Sequence, residues 1–481
     1  MAEVQLNTFE IKKALEHNAE FLIQFFLQEE LTRDVPEFHK DIFYDMTTID
    51  DDRLGIAIPR DHAKTTLAKL AVVWYFLFTD YRFIMYVSNT VSIAIPAVND
   101  IVTFLSSENF QAVFGEVEWI TRQDGKGIYK FKLGDKVCIL RAHGAGQQVR
   151  GINIDNKRPQ LAIIDDLEDN NNIATPELFM KLKRWFYGPF VKALDKFDNK
   201  IIWLGNMISR NSMLYENCES QYWTTKRYGA ILEDGTPLWP DAWPIEKLRK
   251  DFRQYQEAGL LDVWFAEMMN LPIAAGGGII AANEITYAPA IFPEDADFTF
   301  ITVDLAISSE SWAHKTTVTV HAFTGERYQV VQCDGFHGMD PIVLFNYLVT
   351  EAFRWNVTCI GIENVAYQDS LQYVYPHMCR MQEIEGLIFV PLSAQGHKAQ
   401  RIITWAGQLK AGDYVLTQGD IVVTEELLNY DPSKPKGNKD DHIDGAAYGP
   451  QMTDRYMNEI MQSRTYNQHG KATSGYAISS V

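Results

Sequence analysis

Two groups of residues in this chain could carry out phosphate chemistry, and they lie on opposite sides of a glycine triplet, Gly276-Gly277-Gly278. Ahead of the triplet, Ile58-Pro59-Arg60-Asp61-His62-Ala63-Lys64-Thr65-Thr66 places a lysine and a hydroxyl just after a short apolar run. A phosphate loop needs that order: backbone N–H groups at a helix N-terminus wrap the phosphates, a lysine reaches the terminal oxygens, and a hydroxyl binds Mg²⁺. Arg60, Asp61, His62, Ala63, Lys64, Thr65 and Thr66 are the candidate nucleotide-binding residues. The strict pattern G-x-x-x-x-G-K-[ST] fails, because Ile58 stands at the first glycine and Ala63 at the second.

A second segment supplies the acids that such a loop lacks. Leu161-Ala162-Ile163-Ile164-Asp165-Asp166 is an apolar strand pattern ending in two carboxylates, with Glu168 close behind. The first acid is placed to hold Mg²⁺ and the second to polarise an attacking water. That gives Asp165 the metal role and Asp166 the base role, with Glu168 in reserve. Arg150 and Arg158, just upstream, are candidates for a guanidinium that reaches a terminal phosphate within the subunit or across a ring interface. Asn206 ends another apolar run, Ile201 to Leu204, where a side chain could sense the nucleotide.

Beyond the triplet, carboxylates recur at Asp304, Glu363 and the pair Asp441 and Asp444. Two-metal phosphodiester cleavage needs acids that converge on cations roughly 4 Å apart. Asp304 and Glu363 each end an apolar strand pattern, and Asp441 and Asp444 are spaced to share one side of a helix. These four are the candidate metal ligands, with Asp304, Glu363 and Asp444 as the catalytic set and two Mg²⁺ or Mn²⁺ as the ions. His314, Asp334, His337 and His442 are weaker auxiliary candidates.

The elements that must position these groups follow two patterns. From Leu54 to about Thr225, short apolar runs (Leu54 to Ile58, Phe83 to Val87, Val137 to Leu140, Leu161 to Ile164, Ile201 to Leu204) alternate with amphipathic segments. Such alternation predicts an α/β domain with a parallel sheet and ligands at the carboxyl ends of its strands. After the triplet the order changes to strands at Phe298 to Leu305, Thr316 to Phe323 and Arg327 to Cys333, then helices alternating with strands from Pro341 to Ala411. This is the order of an RNase H-like fold. The predicted division is a helical segment over 1–45, a P-loop domain over 46–273 with a closing subdomain from about 237, a hinge over 274–283, a nuclease domain over 284–450 and a flexible tail over 451–481.

Composition narrows the alternatives. The five scattered cysteines, without a CxxC pair, argue for a reducing compartment and against a structural zinc site. The longest apolar run, Leu70 to Phe78, is too short to cross a bilayer, and the polar opening stretch does not read as a secretory signal. A net charge of −19 counts against simple, permanent nucleic-acid coating but not against a nuclease, whose acids hold cations. Local basic patches occur at Lys126, Lys130, Lys132 and Lys136, and at Lys434, Lys436 and Lys439.

From about Phe38 to Gly449 the chain resembles the large terminase subunit of tailed bacteriophages. The resemblance rests on Phe38-His39-Lys40, Pro59 to Thr66, Val149-Arg150-Gly151, Arg158-Pro159, Asp165-Asp166, Leu238-Trp239-Pro240, Asn270-Leu271-Pro272, and Asp441 with Asp444. It implies a P-loop ATPase of the ASCE type followed by an RNase H-like nuclease. The implied activity is ATP-driven translocation of double-stranded DNA into a procapsid, with cutting of concatemeric DNA. Implied partners are a portal protein, a small terminase subunit and further copies in a ring, in the host cytoplasm and transiently at the portal vertex, with no membrane. A P-loop helicase or recombination ATPase fused to a junction-resolving nuclease is the alternative. Asn206 stands where a threonine is expected, and Asp440 adds a further carboxylate to the last cluster.

Overall fold

The computed structural model describes residues 7–28, 33–149, 152–232, 234–272, 278–306, 314–325, 327–364, 369–393, 398–432 and 438–469. Gly276, Gly277, Arg150, Gly151, Lys434, Lys436 and the end of the polar tail from Gly470 lie outside the described residues. The chain divides into two compact units, Met1–Asp251 with Leu260–Ile273, and Phe252–Gly259 with Ala274–Val481.

In the first unit the apolar runs form the strands β1 (Arg53–Ala57), β2 (Phe83–Ser88), β5 (Lys136–Gly144), β6 (Leu161–Asp165), β7 (Lys200–Gly205) and β8 (Thr224–Arg227). A hairpin of β3 (Glu118–Gln123) and β4 (Ile128–Leu133), not foreseen from the sequence, extends one edge. The order is β3-β4-β5-β2-β6-β7-β1-β8, parallel from β5 to β8. Strands β2, β6 and β7 are buried along their whole length. Burial on both faces explains why they read as continuous rather than alternating apolar runs. One face is covered by the helices Lys64–Phe78 and Val91–Ser106 together with the N-terminal helices Thr8–His17, Ala19–Leu27 and Glu37–Thr48, which share one core through Leu15, Leu22, Phe38, Ile42 and Phe43. The helix Pro176–Trp185 and the turns after it cover the other face, through Phe179, Leu182, Trp185 and Phe186.

The placement of β7 decides the architecture. It separates β1, which feeds the loop at Lys64, from β6, which carries the acids. This inserted strand is the ASCE-type arrangement, and it brings Gly205 and Asn206 between the loop and the acid pair.

The second unit has the order β14-β13-β10-β11-β12-β15-β9. Strands β10 (Phe298–Asp304), β11 (Thr316–Thr324) and β12 (Arg327–Phe336) form an antiparallel meander. Strands β13 (Cys359–Asn364) and β14 (Ile388–Ser393) continue parallel from β10. That is an RNase H-like sheet. Two short strands, β9 (Tyr287–Ala288) and β15 (Tyr414–Thr417), extend the far edge. The helices Pro341–Arg354 and Asp369–Met381 bury Leu344, Phe345, Leu348 and Tyr375 on one face.

The opposite face receives Asp441–Ala446 and the helix Gly449–His469. The latter helix runs on beyond the expected start of the tail, and its Met452 and Ile460 are buried with Phe300 and Leu392. Gly445 is what allows the close approach: a Cβ there would overlap Thr317 Oγ1, and Thr302 donates a 2.8 Å hydrogen bond to its carbonyl. The small residues after Asp444 therefore seat that helix on the sheet. Among the described residues no helix is long and apolar enough to cross a membrane.

Candidate functional sites

The loop after β1 closes without its two glycines by placing other residues in the left-handed region. Asp61 has φ +59° and Ala63 φ +64°. An L-residue other than Gly, Asn or Asp adopts this conformation at a cost, so Ala63 carries local strain. The helix Lys64–Phe78 then begins with no side-chain cap. Its first N–H groups and its dipole are therefore available to an anion. Ala63→Gly is expected to raise unfolding free energy by about 0.5–1 kcal/mol while retaining ATP turnover; urea unfolding and a steady-state assay on the same preparation would check both.

Aromatic and imidazole side chains brace the loop. His39 Nε2 lies 3.1 Å from the His62 carbonyl oxygen, and His62 Nδ1 lies 2.7 Å from that of Arg60. The His62 ring stacks on Trp243 at 6.0 Å and meets Trp239 and Phe38 edgewise or tilted. Burial lowers both His39 and His62 to about 4, so both rings are neutral near pH 7. His39 thus braces the loop's backbone, while Phe38 and Trp239 pack against the His62 ring. Arg60 turns outward to Glu267, 3.0 Å away, and Asp61 is exposed, while Thr66 is half-buried.

Lys64 is buried and held by two partners, Asn206 Oδ1 and Asp166 Oδ2, the latter at 3.2 Å. Asn206 is itself fixed, donating to the Ile58 and Glu267 carbonyls at 3.0 and 2.9 Å. Thr65 Oγ1 donates to Asp165 Oδ2 at 2.8 Å, and so does the hydroxyl of Tyr86, a partner not foreseen from the residue pattern. The other oxygen, Asp165 Oδ1, is buried without a hydrogen-bond partner. Burial, then the charge of Asp166, pushes Asp165 up to about 6. A buried carboxylate with an unused oxygen beside a threonine hydroxyl fits a magnesium site.

Asp166 has φ +48° and is pinned through its backbone, its N–H to Leu204 O at 3.1 Å and its carbonyl to Asn89 N at 3.0 Å. Burial raises its carboxyl against the pull of Lys64. Glu168 differs. Both of its oxygens accept backbone N–H groups, from Met213 at 2.7 Å and Leu214 at 3.1 Å, and burial raises it to about 7. In this arrangement its oxygens accept the first N–H groups of the helix Met213–Cys218. Arg158 also departs from expectation: it lies before the start of β6, bonded to the Lys192 carbonyl at 3.1 Å. The acids lie at the opposite, carboxyl end of that strand. Arg150 lies outside the described residues.

Asn270 accounts for another motif. It is fully buried with φ +51°, accepts from Met207 N at 2.9 Å and donates to Tyr228 O at 2.9 Å, tying the exits of β7 and β8 together.

In the second unit, Asp304 ends β10 and Glu363 sits beside it on β13, one step beyond the paired Val303 and Ile362. Burial, the neighbouring Glu363 carboxyl and the charge of Asp444 hold Asp304 well above the usual carboxylate range. Tyr448 donates to Glu363 Oε1 at 2.7 Å. Asp304 is therefore influenced electrostatically by both Glu363 and Asp444.

Asp441 is not with them. It faces His314 Nδ1 at 3.2 Å and accepts from Lys315 N at 3.1 Å. Asp444 instead shares its side of the helix with Asp440, four residues earlier, as the Asp444 N–H to Asp440 O bond shows. The i, i+4 pair replaces the expected i, i+3 pair because the helix begins at Asp441 and the side chain of Asp440 folds in as its leading residue.

Two cations missed in the sequence complete this site. Lys398 Nζ bridges Asp440 Oδ1 at 2.7 Å and Asp444 Oδ2 at 3.0 Å. Arg401 grips Asp444 through Nε at 3.1 Å and through Nη2, and lies 3.9 Å over the Tyr448 ring. Their i, i+3 spacing on the helix Lys398–Ala411 was the only sequence signal. The donor set, buried carboxylates facing one another, has the chemistry of a divalent-cation site. It is not a preformed cage: among the described residues no three His, Cys, Asp or Glu side chains converge in a metal-holding arrangement.

The auxiliary candidates have other duties. His442 pairs with Glu426 at 2.7 Å, and Asp334 accepts from Tyr347 at 2.6 Å. In the basic patch of the first unit, Lys130 pairs with Asp155, Lys132 binds Glu118 at 2.8 Å and Lys136 lies 3.9 Å from Asp80.

No protein-family model matches the chain. No curated protein matches it either. Among solved structures, it is similar to the large terminase of a thermophilic bacteriophage in complex with ADP, at 10% identity and a TM-score of 0.34, covering 88% of this chain and 100% of that one. It is similar also to the large terminase ATPase domain of Thermus phage P74-26 (12% identity, TM-score 0.36, 48% of this chain and 92% of that one). A third is the large terminase nuclease of thermophilic phage G20c with bound zinc (13% identity, TM-score 0.28, 36% and 95%). The strand orders and side-chain geometry described above are independent of these likenesses.

Proposed function

We propose that the chain is a viral DNA-packaging motor whose first unit hydrolyses ATP and whose second unit cuts double-stranded DNA. The observation that carries this reading is the presence in one chain of a loop lysine set against an acid pair across an inserted strand, and of Asp304, Glu363 and Asp444 gathered on an RNase H-like sheet.

In the first unit Lys64 and the uncapped helix start would bind the terminal phosphates, with Thr65 and Asp165 holding Mg²⁺. The bound ion would neutralise phosphate charge. Asp166, pinned by its backbone and half-open to solvent, is the group that accepts a proton from water. Asn206 holds Lys64 in place and ties the loop to β7.

In the second unit Asp304, Glu363 and Asp444 would hold Mg²⁺ or Mn²⁺, whose contribution is to activate water and to stabilise the leaving oxygen. The chain's own part is to gather the acids: β10 and β13 fix two of them side by side, and Gly445 lets the third approach the sheet. The partners in this reading are double-stranded DNA, a portal protein, a small terminase subunit and further copies of the chain in a ring, in the host cytoplasm and at the procapsid portal.

The decisive measurement is the stimulation of ATP turnover. Portal-bearing procapsids and the small terminase subunit should raise it. Stimulation by single-stranded DNA with strand separation, and none by procapsids, would replace the packaging reading with that of a helicase fused to a junction-resolving nuclease.

A further inference from the structure

The carboxyl groups of Asp440 and Asp444 are less than a tenth exposed, yet among the described residues their side-chain polar partners are Lys398 and Arg401 alone. Asp440 makes no capping hydrogen bond to the helix that follows it. Buried carboxylates need compensating charge or hydrogen bonds. Here the compensation is entirely cationic and comes from one helix, Lys398–Ala411.

The two cations are not equivalent. Arg401 is locked by two nitrogens on Asp444 and by the Tyr448 face, and only 15% of its side chain is exposed. Lys398 is a point charge on a flexible stem, with 38% of its side chain exposed. Its ammonium can return to water by rotating that stem, whereas the guanidinium cannot leave without unstacking. Lys398 therefore occupies, reversibly, the oxygens that a divalent ion would need.

We infer that Lys398 is a built-in competitor for the divalent cation of the nuclease site, binding Asp440 and Asp444 until the ion displaces it. The inference rests on the reading that Asp304, Glu363 and Asp444 hold metal. It explains why the acids are gathered but do not form a ready cage, and it makes metal affinity, rather than the positions of the acids alone, the quantity set by the helix Lys398–Ala411. Displacement makes the site one unit more positive, since an ammonium of charge +1 leaves to solvent as a dication enters, and the surrounding carboxylates absorb that difference.

The test is Mn²⁺ binding to the full chain after chelator stripping, without DNA, with free Mn²⁺ read by electron paramagnetic resonance. The relevant site is the one that Asp304→Asn removes. Lys398→Met is expected to bind Mn²⁺ there about tenfold more tightly than wild type, equivalent to about 1.4 kcal/mol. Lys398→Arg should return affinity to near the wild-type value. Lys398→Gln, which keeps a polar contact to the carboxylates, serves as the second variant should the Met variant unfold early, and is expected to show the same direction. Unchanged or weaker binding in both neutral variants, with Asp304→Asn still removing the site, overturns the competitor role alone. Mn²⁺ binding indifferent to Asp304→Asn overturns the metal-site reading and the competitor with it.

Discussion

Asp304→Ala is expected to abolish Mn²⁺- or Mg²⁺-dependent plasmid cleavage while leaving ATP turnover within about twofold of wild type. Asp304 lies at the end of β10, beside Glu363 on β13, and its carboxyl feels the charge of both Glu363 and Asp444. In the proposed metal set its loss removes one of the three carboxylates. Metal ions contribute several kcal/mol to phosphoryl chemistry. At about 1.4 kcal/mol per factor of ten, cleavage should fall by at least about 10³. The fold should survive. Burial and its acidic neighbours raise the Asp304 carboxyl, and a folded-state value above the unfolded one means that its charge opposes folding as pH rises through that range. Removing it should therefore leave the thermal midpoint near pH 7 equal or higher, so a loss of cleavage cannot be blamed on unfolding. Cleavage at the wild-type rate would sink the nuclease assignment.

What the sequence made legible follows from where the information is local. The strands of both units were readable because burial on one or both faces leaves period-two or continuous apolar runs, as in Leu161 to Ile164 and Cys359 to Ile362. The adjacency of Asp304 and Glu363 was readable because each ends an apolar strand run, on β10 and β13. Pairing order was less legible, since the insertion of β7 between β1 and β6 is a long-range choice among strands of similar composition. Side-chain direction was least legible. Glu168 reads as a spare acid but is captured by the N–H groups of Met213 and Leu214, which are forty-odd residues away in sequence. Asp441 and Asp444 diverge although the helix begins at Asp441 as expected, because Asp441 is drawn to His314 and the Lys315 N–H while Asp444 is held by Lys398 and Arg401. Lys398 and Arg401 sit far in sequence from the acids that they hold, in a helix whose composition is otherwise ordinary.

Asp166→Asn is expected to reduce ATP turnover by about 10²–10⁴, the usual contribution of a positioned general base. Asparagine is the informative substitution here. Asp166 stands at φ +48°, a conformation that Asn adopts at lower cost than Ala, so the change removes charge and basicity without adding backbone strain. Nucleotide affinity should change by only a few-fold, because Lys64, Thr65, Asp165 and the helix start remain. The control is Glu168→Gln. Its oxygens are spent on the backbone of Met213 and Leu214, so that variant should show altered stability with turnover within a few-fold of wild type. The reverse result, with Glu168→Gln inactive and Asp166→Asn active, would transfer the base role to Glu168 and require the helix Met213–Cys218 to release it. Asp166→Asn should also leave Mn²⁺-dependent cleavage intact, and a segment beginning near residue 285 should still cut DNA without the first unit. If that segment is inert with either metal, the proposed separation of the hydrolytic sites is wrong.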